Sequence, residues 1–410
     1  MQTTRQTVTV LMVSAIASLA VGVRMAAGAD WPNYRGPNHD GISRETDWQS
    51  RWGDAGPAVL WKNSIGVGFS TTAVANGRGY TMGNTARDNT TDIVFCFDAE
   101  TGKEIWRHSY PCPLLPNSYE GGTLSTPTVD NGKVYTLSKI GNLFCLDAVT
   151  GKVIWQKQLN KDLGFVLPTW HFASSAVIAG DMLILNMGSA GLALNKNTGQ
   201  IVWQNGKGKC GYATPVPFEM DGQPCLAIMS EVTLFAVKQA DGRQLWQCPW
   251  KTMYEINAAD PVVIGNQMLI TSGYKHGCAL LEVNTAGAKK LWENKAMSMQ
   301  INCPILRDGY AYGFDENVFK CVKLDDGEEQ WRDRGLGKGS LMMSADGRLV
   351  IMSEKGELVI ARADPQKFDV LARAQILPKT KCWTSPVLAN GRIYARNAAG
   401  NFACVDVSGK

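Results

Sequence analysis

The sequence is short of several things that would commit it to familiar chemistry. Charged residues fill only 19% of its 410 positions, and no block of like charge forms among them. The formal net charge of +4 is spread along the chain. That leaves no basic stripe of the kind that tracks a phosphate backbone, so nucleic acid is excluded as a partner. Histidine occurs only as His39, His108, His171 and His276, too scattered for a zinc motif. There is no Cys-x-x-Cys-His, which excludes a fused c-type haem. Gly206-Lys207-Gly208-Lys209 and Gly335-Leu336-Gly337-Lys338-Gly339-Ser340 look like phosphate loops. Neither has the Gly-x-x-x-x-Gly-Lys spacing followed by Ser or Thr, and both read as tight turns.

Long apolar runs are also missing. The longest, Val8 to Val23, is interrupted by Thr9, Ser14 and Ser18. It falls short of the roughly 20 apolar residues that a membrane span needs. Arg5 precedes it, and Ala27-Gly28-Ala29 follows with small-x-small spacing. This predicts a cleaved export signal over residues 1–29, with a membrane-spanning helix as the alternative. The first cysteine is Cys96, so no lipid anchor is expected at the cleavage site. The mature chain is expected in the periplasm or secreted, outside the membrane and as a monomer.

What the chain does have is a repeat. Phe97-Asp98-Ala99-Glu100-Thr101-Gly102-Lys103-Glu104-Ile105-Trp106 returns as Leu146-Asp147-Ala148-Val149-Thr150-Gly151-Lys152-Val153-Ile154-Trp155. Looser copies precede Trp203, Trp246, Trp292 and Trp331. Successive tryptophans lie about 40 to 50 residues apart, the size of a propeller blade. Gly102, Gly151, Gly199, Gly242 and Gly327 each stand four residues before their Trp. That suits a hairpin loop whose bulged turn needs positive φ. Pro127, Pro304 and Pro386 are each followed five residues later by a glycine, and β-rich runs such as Lys133 to Leu137 come next. Each unit therefore reads as four short antiparallel strands, A to D from the axis outward. The Trp is expected to end the outermost strand and pack into the seam between blades. Its loss there costs about 3–5 kcal/mol.

Counting units predicts an all-β, eight-bladed propeller over residues 58–410. A seventh unit spans Leu341 to Leu371 without a Trp, and the eighth begins at Trp383 and runs out at Cys404-Val405-Asp406. Its missing strand is assigned to Ala58-Val59-Leu60-Trp61-Lys62, so an N-terminal strand shuts the ring and removes its exposed edges. The alternative is seven blades and an irregular cap. Residues 30–57 show no strand pattern and are expected to form a latch under the ring.

Eleven cysteines in an exported chain suggest disulfides, and the odd count leaves at least one thiol unpaired within the chain. Cys96, Cys145 and Cys321 each lie ten residues before a Trp, Cys404 has the matching context, and Ala193 and Ala236 hold the same place in other units. A small apolar packing residue is what the position wants. The pairing of Cys112, Cys210, Cys225, Cys248, Cys278, Cys303 and Cys382 stays open.

The repeated Asp-Ala-x-Thr-Gly-Lys-x-x-Trp resembles the PQQ-type repeat of quinoprotein alcohol dehydrogenases and of the propeller lipoprotein of the outer-membrane barrel-assembly machinery. Trp31-Pro32-Asn33-Tyr34-Arg35-Gly36-Pro37-Asn38 is similar to the lead-in of exported PQQ-binding-like β-propeller repeat proteins. The dehydrogenases of this kind are longer and carry two adjacent cysteines above their cofactor, and this chain has no Cys-Cys pair. The lipoprotein relative works without cofactor, so the repeat does not by itself imply PQQ.

Loops joining strand D to the next strand A are expected to converge on one mouth of the central channel. There, a flat aromatic acid such as PQQ with Ca²⁺ asks for an aromatic face, cations and oxygen ligands. Trp170, His171, Tyr254, Lys381 and Trp383 are candidates for holding it, and Glu255 with Asn257 for the metal. Asp260 or Glu120 would serve as the base of a PQQ-dependent dehydrogenase oxidising an alcohol or sugar. The leading expectation is a binding or scaffold propeller of the bacterial envelope. Its funnel would grip an envelope protein, a glycan or a small molecule. A carbohydrate- or polymer-binding module is a third reading.

Overall fold

A computed structural model describes residues 29–85, 89–117 and 119–409, so the expected export signal lies almost wholly outside the described residues. Eight antiparallel sheets follow one another around an axis. The first blade runs Ala73–Ala75, Arg78–Asn84, Thr91–Asp98 and Glu104–Pro111. The seventh runs Ser340–Ser344, Arg348–Met352, Glu357–Arg362 and Asp369–Gln375. The eighth blade takes Val387–Ala389, Arg392–Arg396 and Asn401–Asp406 from the end of the chain. Its outermost strand is β2 (Val59–Ser64), paired antiparallel to Asn401–Asp406 with Trp61 opposite Cys404. The ring thus closes with a strand from near the start, as the residue pattern predicts.

Each recurring piece of the repeat has a local cause. The Asp98 carboxylate accepts hydrogen bonds from the Glu100 and Thr101 amides and from the Thr101 hydroxyl, and Asp147 does the same for Val149 and Thr150. These donors hold both carboxyl groups below the usual carboxylate range. Gly102 and Gly151 then take φ values of 70° and 72°, where a side chain would be strained. The ladder shifts register after Cys96 and after Cys145.

The tryptophans do not end the outermost strand, as the sequence suggested. Trp106 and Trp155 stand near its start, because the bulge places them directly opposite Cys96 and Cys145. The indole then leans into the next blade. A Cβ on Gly151 would lie 2.6 Å from the Trp106 ring, and one on Gly102 would lie 2.4 Å from that of Trp61. The Trp106 indole N–H donates to the Ala148 carbonyl at 3.1 Å, and Trp155 donates to Lys196 at 3.0 Å. The residue opposite the indole is Cys96, Cys145, Ala193, Ala236 or Cys321 in these blades, and Leu280 opposite Trp292. All eleven cysteines are free thiols, and all but the half-buried Cys248 are buried.

Residues 30–57 carry one strand that the sequence did not show. Strand β1 (Ile42–Ser43) pairs in parallel with Ser340–Ser344 of the seventh blade, giving that sheet a fifth strand. The pairing satisfies backbone groups that the inner edge of this blade would otherwise leave open. The same segment continues under the ring. Arg348 donates to the Trp48 and Thr46 carbonyls and stacks over the Trp48 ring at 4.1 Å, and the Gln49 amide donates to Val407 at 2.7 Å. Trp48 therefore bridges blades seven and eight, the seam whose own Trp is missing.

Candidate functional site

In blades one to six the residue two positions before the inner strand lies near the axis. These residues are Thr71, Thr126, Ser175, Thr214, Asp260 and Cys303, and they form a belt. The Thr71 amide donates to the Thr126 hydroxyl at 3.2 Å, the Thr126 amide to Ser175 at 2.9 Å, and the Ser175 amide to Thr214 at 3.2 Å. The Thr214 amide donates to Asp260 Oδ1 at 2.7 Å, and the Asp260 amide to Cys303 Sγ at 3.1 Å. Each blade so offers a side-chain acceptor to its neighbour's backbone, close to the axis where a bare N–H would be costly.

Above the belt the connecting loops form a funnel that encloses a cavity of about 240 Å³. Its wall is aromatic: Phe69, Tyr119, Trp170, Tyr212, Tyr274 and Trp383 all line it. Trp170 meets Tyr212 edge-on with centroids 6.2 Å apart, and Trp383 stacks on Phe69 at 6.0 Å. Lys381 sits over the Trp383 ring at 4.3 Å and pairs with Glu120 at 2.8 Å. Lys338 lies over the same ring at 5.4 Å. It pairs with Glu316 at 3.3 Å and donates to Gln300. The indole N–H of Trp383 donates to Glu354 at 3.4 Å.

Of the residues picked from sequence, Trp170, Asp260 and Trp383 line this one cavity, with Lys381 and Glu120 paired at its edge. The others are placed differently. His171 stands behind the wall, its Nδ1 3.2 Å from the Tyr119 hydroxyl, and burial with the nearby Lys139 lowers its pKa. Tyr254 is half exposed and packs edge-on against Tyr274 at 4.8 Å. Glu255 lies beside Glu231, whose pKa is raised by burial and by this like-charged neighbour.

Asn257, the proposed metal partner of Glu255, is bonded within the protein. Its amide nitrogen donates to the Ser230, Glu231 and Trp250 carbonyls and its oxygen accepts from Ser272, which holds the side chain within its own loop and the two blades it joins. Among the described residues no group of three or more His, Cys, Asp or Glu is arranged to hold a metal ion. Asp260 is buried, which pushes its pKa up to about 6 against the opposing pull of Arg35. Burial and the Thr214 bond fix it as part of the belt, and Glu120 is tied to Lys381.

Sequence reading missed the belt as a set, along with Phe69, Tyr274 and Lys338. It also missed Arg396, a fully buried guanidinium that donates to the Met82, Ser70 and Gly66 carbonyls and so joins the last blade to the first. Burial lowers its pKa to about 9, which leaves it charged at neutral pH. The belt had a signal, a polar or small residue two places before the inner strand in these six blades. It was masked because the residue type changes from blade to blade.

The fold has close counterparts among solved structures. BamB from Moraxella catarrhalis superposes with a TM-score of 0.61 at 16% identity, over 86% of this chain and 98% of that one. Quinohemoprotein alcohol dehydrogenase ADHIIG from Pseudomonas putida HK5 gives 0.66 at 12% identity, over 93% and 81%. The corresponding enzyme from Comamonas testosteroni gives 0.65 at 13%, also over 93% and 81%. At such identities the likeness establishes the fold alone. No curated protein matches the chain in sequence. The family model of the outer membrane protein assembly factor BamB does match, over residues 90–333, and the chain belongs to that family.

Proposed function

We propose that this chain is an exported binding or scaffold propeller of the bacterial cell envelope that engages its partner through the aromatic funnel. The observation that carries the reading is the state of the funnel's charges: each lysine beside the aromatic wall is already paired with a carboxylate. Such a surface offers broad apolar faces and little free charge, which suits gripping a neutral or amphipathic partner. Membership of the BamB family and the apolar stretch from Val8 to Val23 support an envelope setting. Among the described residues no helix is long and apolar enough to cross a membrane.

PQQ with Ca²⁺ fits these residues poorly. Its carboxylates ask for unpaired cations, yet Lys381 and Lys338 are already paired, and its metal asks for clustered oxygens, yet among the described residues no group of three or more His, Cys, Asp or Glu is arranged to hold an ion. The test adds PQQ and Ca²⁺ to the full chain and follows cofactor absorbance and dye reduction by alcohols. A photo-crosslinker at Met253, exposed on the rim, runs in parallel in whole cells. Silence in the first arm and one specific envelope product in the second are expected. Alcohol-driven dye reduction would overturn the scaffold reading.

A further inference from the structure

The funnel is blind. Trp31 exchanges backbone hydrogen bonds with Val74 of the first blade, and the Pro32 carbonyl accepts from Val129 of the second. Arg35 then donates to the Pro304 carbonyl in front of the sixth blade. This stretch therefore crosses the axis beneath the belt, and Tyr34 comes up from it to line the cavity from below. A ligand enters from the loop side only. The cavity of about 240 Å³, open toward the loops, has room for a sugar ring.

The polar groups inside are ordered. Thr126, Ser175 and Thr214 are buried, line the cavity, and each uses its oxygen to accept a neighbour's amide. A hydroxyl that accepts one hydrogen bond still has its own hydrogen to give. Three adjacent blades thus present an arc of hydroxyl donors. The next place in the belt is the Asp260 carboxylate, an acceptor. Donors followed by an acceptor, at the foot of an aromatic cylinder, match a secondary amide: its carbonyl faces the hydroxyls and its N–H faces the carboxylate. The surrounding rings supply flat faces for the C–H surface of a sugar ring above it.

We infer that this cavity binds a saccharide ring carrying a secondary amide, of the N-acetylhexosamine class, with the amide directed into the belt. The inference rests on the funnel being the binding site of the proposed function. It goes further in naming the ligand class and the residues that read it. A site built to bond an amide rejects the analogue that lacks one, because its buried donors are then left unmatched.

The experiment titrates N-acetylglucosamine and, separately, glucose into the full-length protein, reading the fluorescence of the funnel tryptophans. Saturable quenching by the acetylated sugar is expected, with glucose weaker by roughly tenfold or more. Ser175→Ala removes one donor from the arc and is expected to weaken only the acetylated sugar, again by roughly tenfold. The comparison of the two sugars on the unaltered protein stands even where that variant folds poorly. Equal response to both sugars, or no saturable response to either, overturns the inference. A protein crosslinked at Met253 together with silence toward both sugars overturns it too, while leaving the binding reading intact. Alcohol oxidation with added PQQ removes both.

Discussion

At the outer seams of the wheel the same residues recur, whereas around the axle equivalent places are filled differently. Trp61, Trp106, Trp155, Trp203 and Trp292 each lie against a glycine of the following blade. Three of these seams add an asparagine two residues on, Asn63, Asn205 and Asn294, whose amide donates to the carbonyl of that same glycine. Around the axis the in-phase positions carry Thr, Thr, Ser, Thr, Asp and Cys. Identity at the seams follows from one packing problem solved repeatedly. Variety at the axle means that each blade contributes something separate to a shared surface, which is where recognition is built.

The largest effect expected from this contrast is Trp106→Ala. It should lose about 3–5 kcal/mol in urea unfolding while leaving ligand response at the funnel unchanged in the folded fraction. Loss of funnel binding without loss of stability would reverse the assignment of the two regions. A smaller effect separates one seam from the others. Blade five has a two-residue turn, Asn284 pairing with Gly287, in place of the longer glycine hairpin. Trp246 faces it with a buried indole N–H that has no partner, whereas Trp203 donates to Gln239 at 2.9 Å. Asp221 clasps the turn instead, accepting from the Thr285 amide and hydroxyl. Both Trp246→Phe and Trp203→Phe lose buried indole packing, but Trp203→Phe also loses a hydrogen bond and should cost about 1 kcal/mol more, compared by melting temperature.

The rim was legible in the sequence because its repeat is one of identity: Trp, Gly and the Asp-x-x-Thr turn print the blade count and even the borrowed strand. Aromatics such as Trp170 and Trp383 were legible too, since loop position alone brings them to the mouth. Asn257 was legible as a loop amide, and only the fold shows its four bonds inside the protein. The belt and the crossing segment were hidden for a different reason. Hydrogen bonds between blades, and Tyr34 beneath the axis, join residues far apart in the chain and leave no local pattern.

Asp260 gives the axle its finest test. It is the one ionisable carboxylate among these six belt residues, faced by Arg35, Tyr34 and Cys303 and bonded to the Thr214 amide. Its pKa rises from 3.8 to about 6 in the folded protein, with burial as the main cause. An acid whose pKa is raised on folding holds its proton longer in the native state, so folding takes up a proton between about pH 4 and pH 6. Above that window the group costs stability; as pH falls through it the cost is relieved. Asp260→Asn keeps an oxygen for the Thr214 amide and removes the charge. The variant should be the more stable at neutral pH by something on the order of 1 kcal/mol, with the gap closing by about pH 4. Melting temperatures of both proteins across that range check it. A gap that does not change with pH would mean the carboxylate is held by Arg35 as tightly as water would hold it, and the axle would then be as passive as the rim.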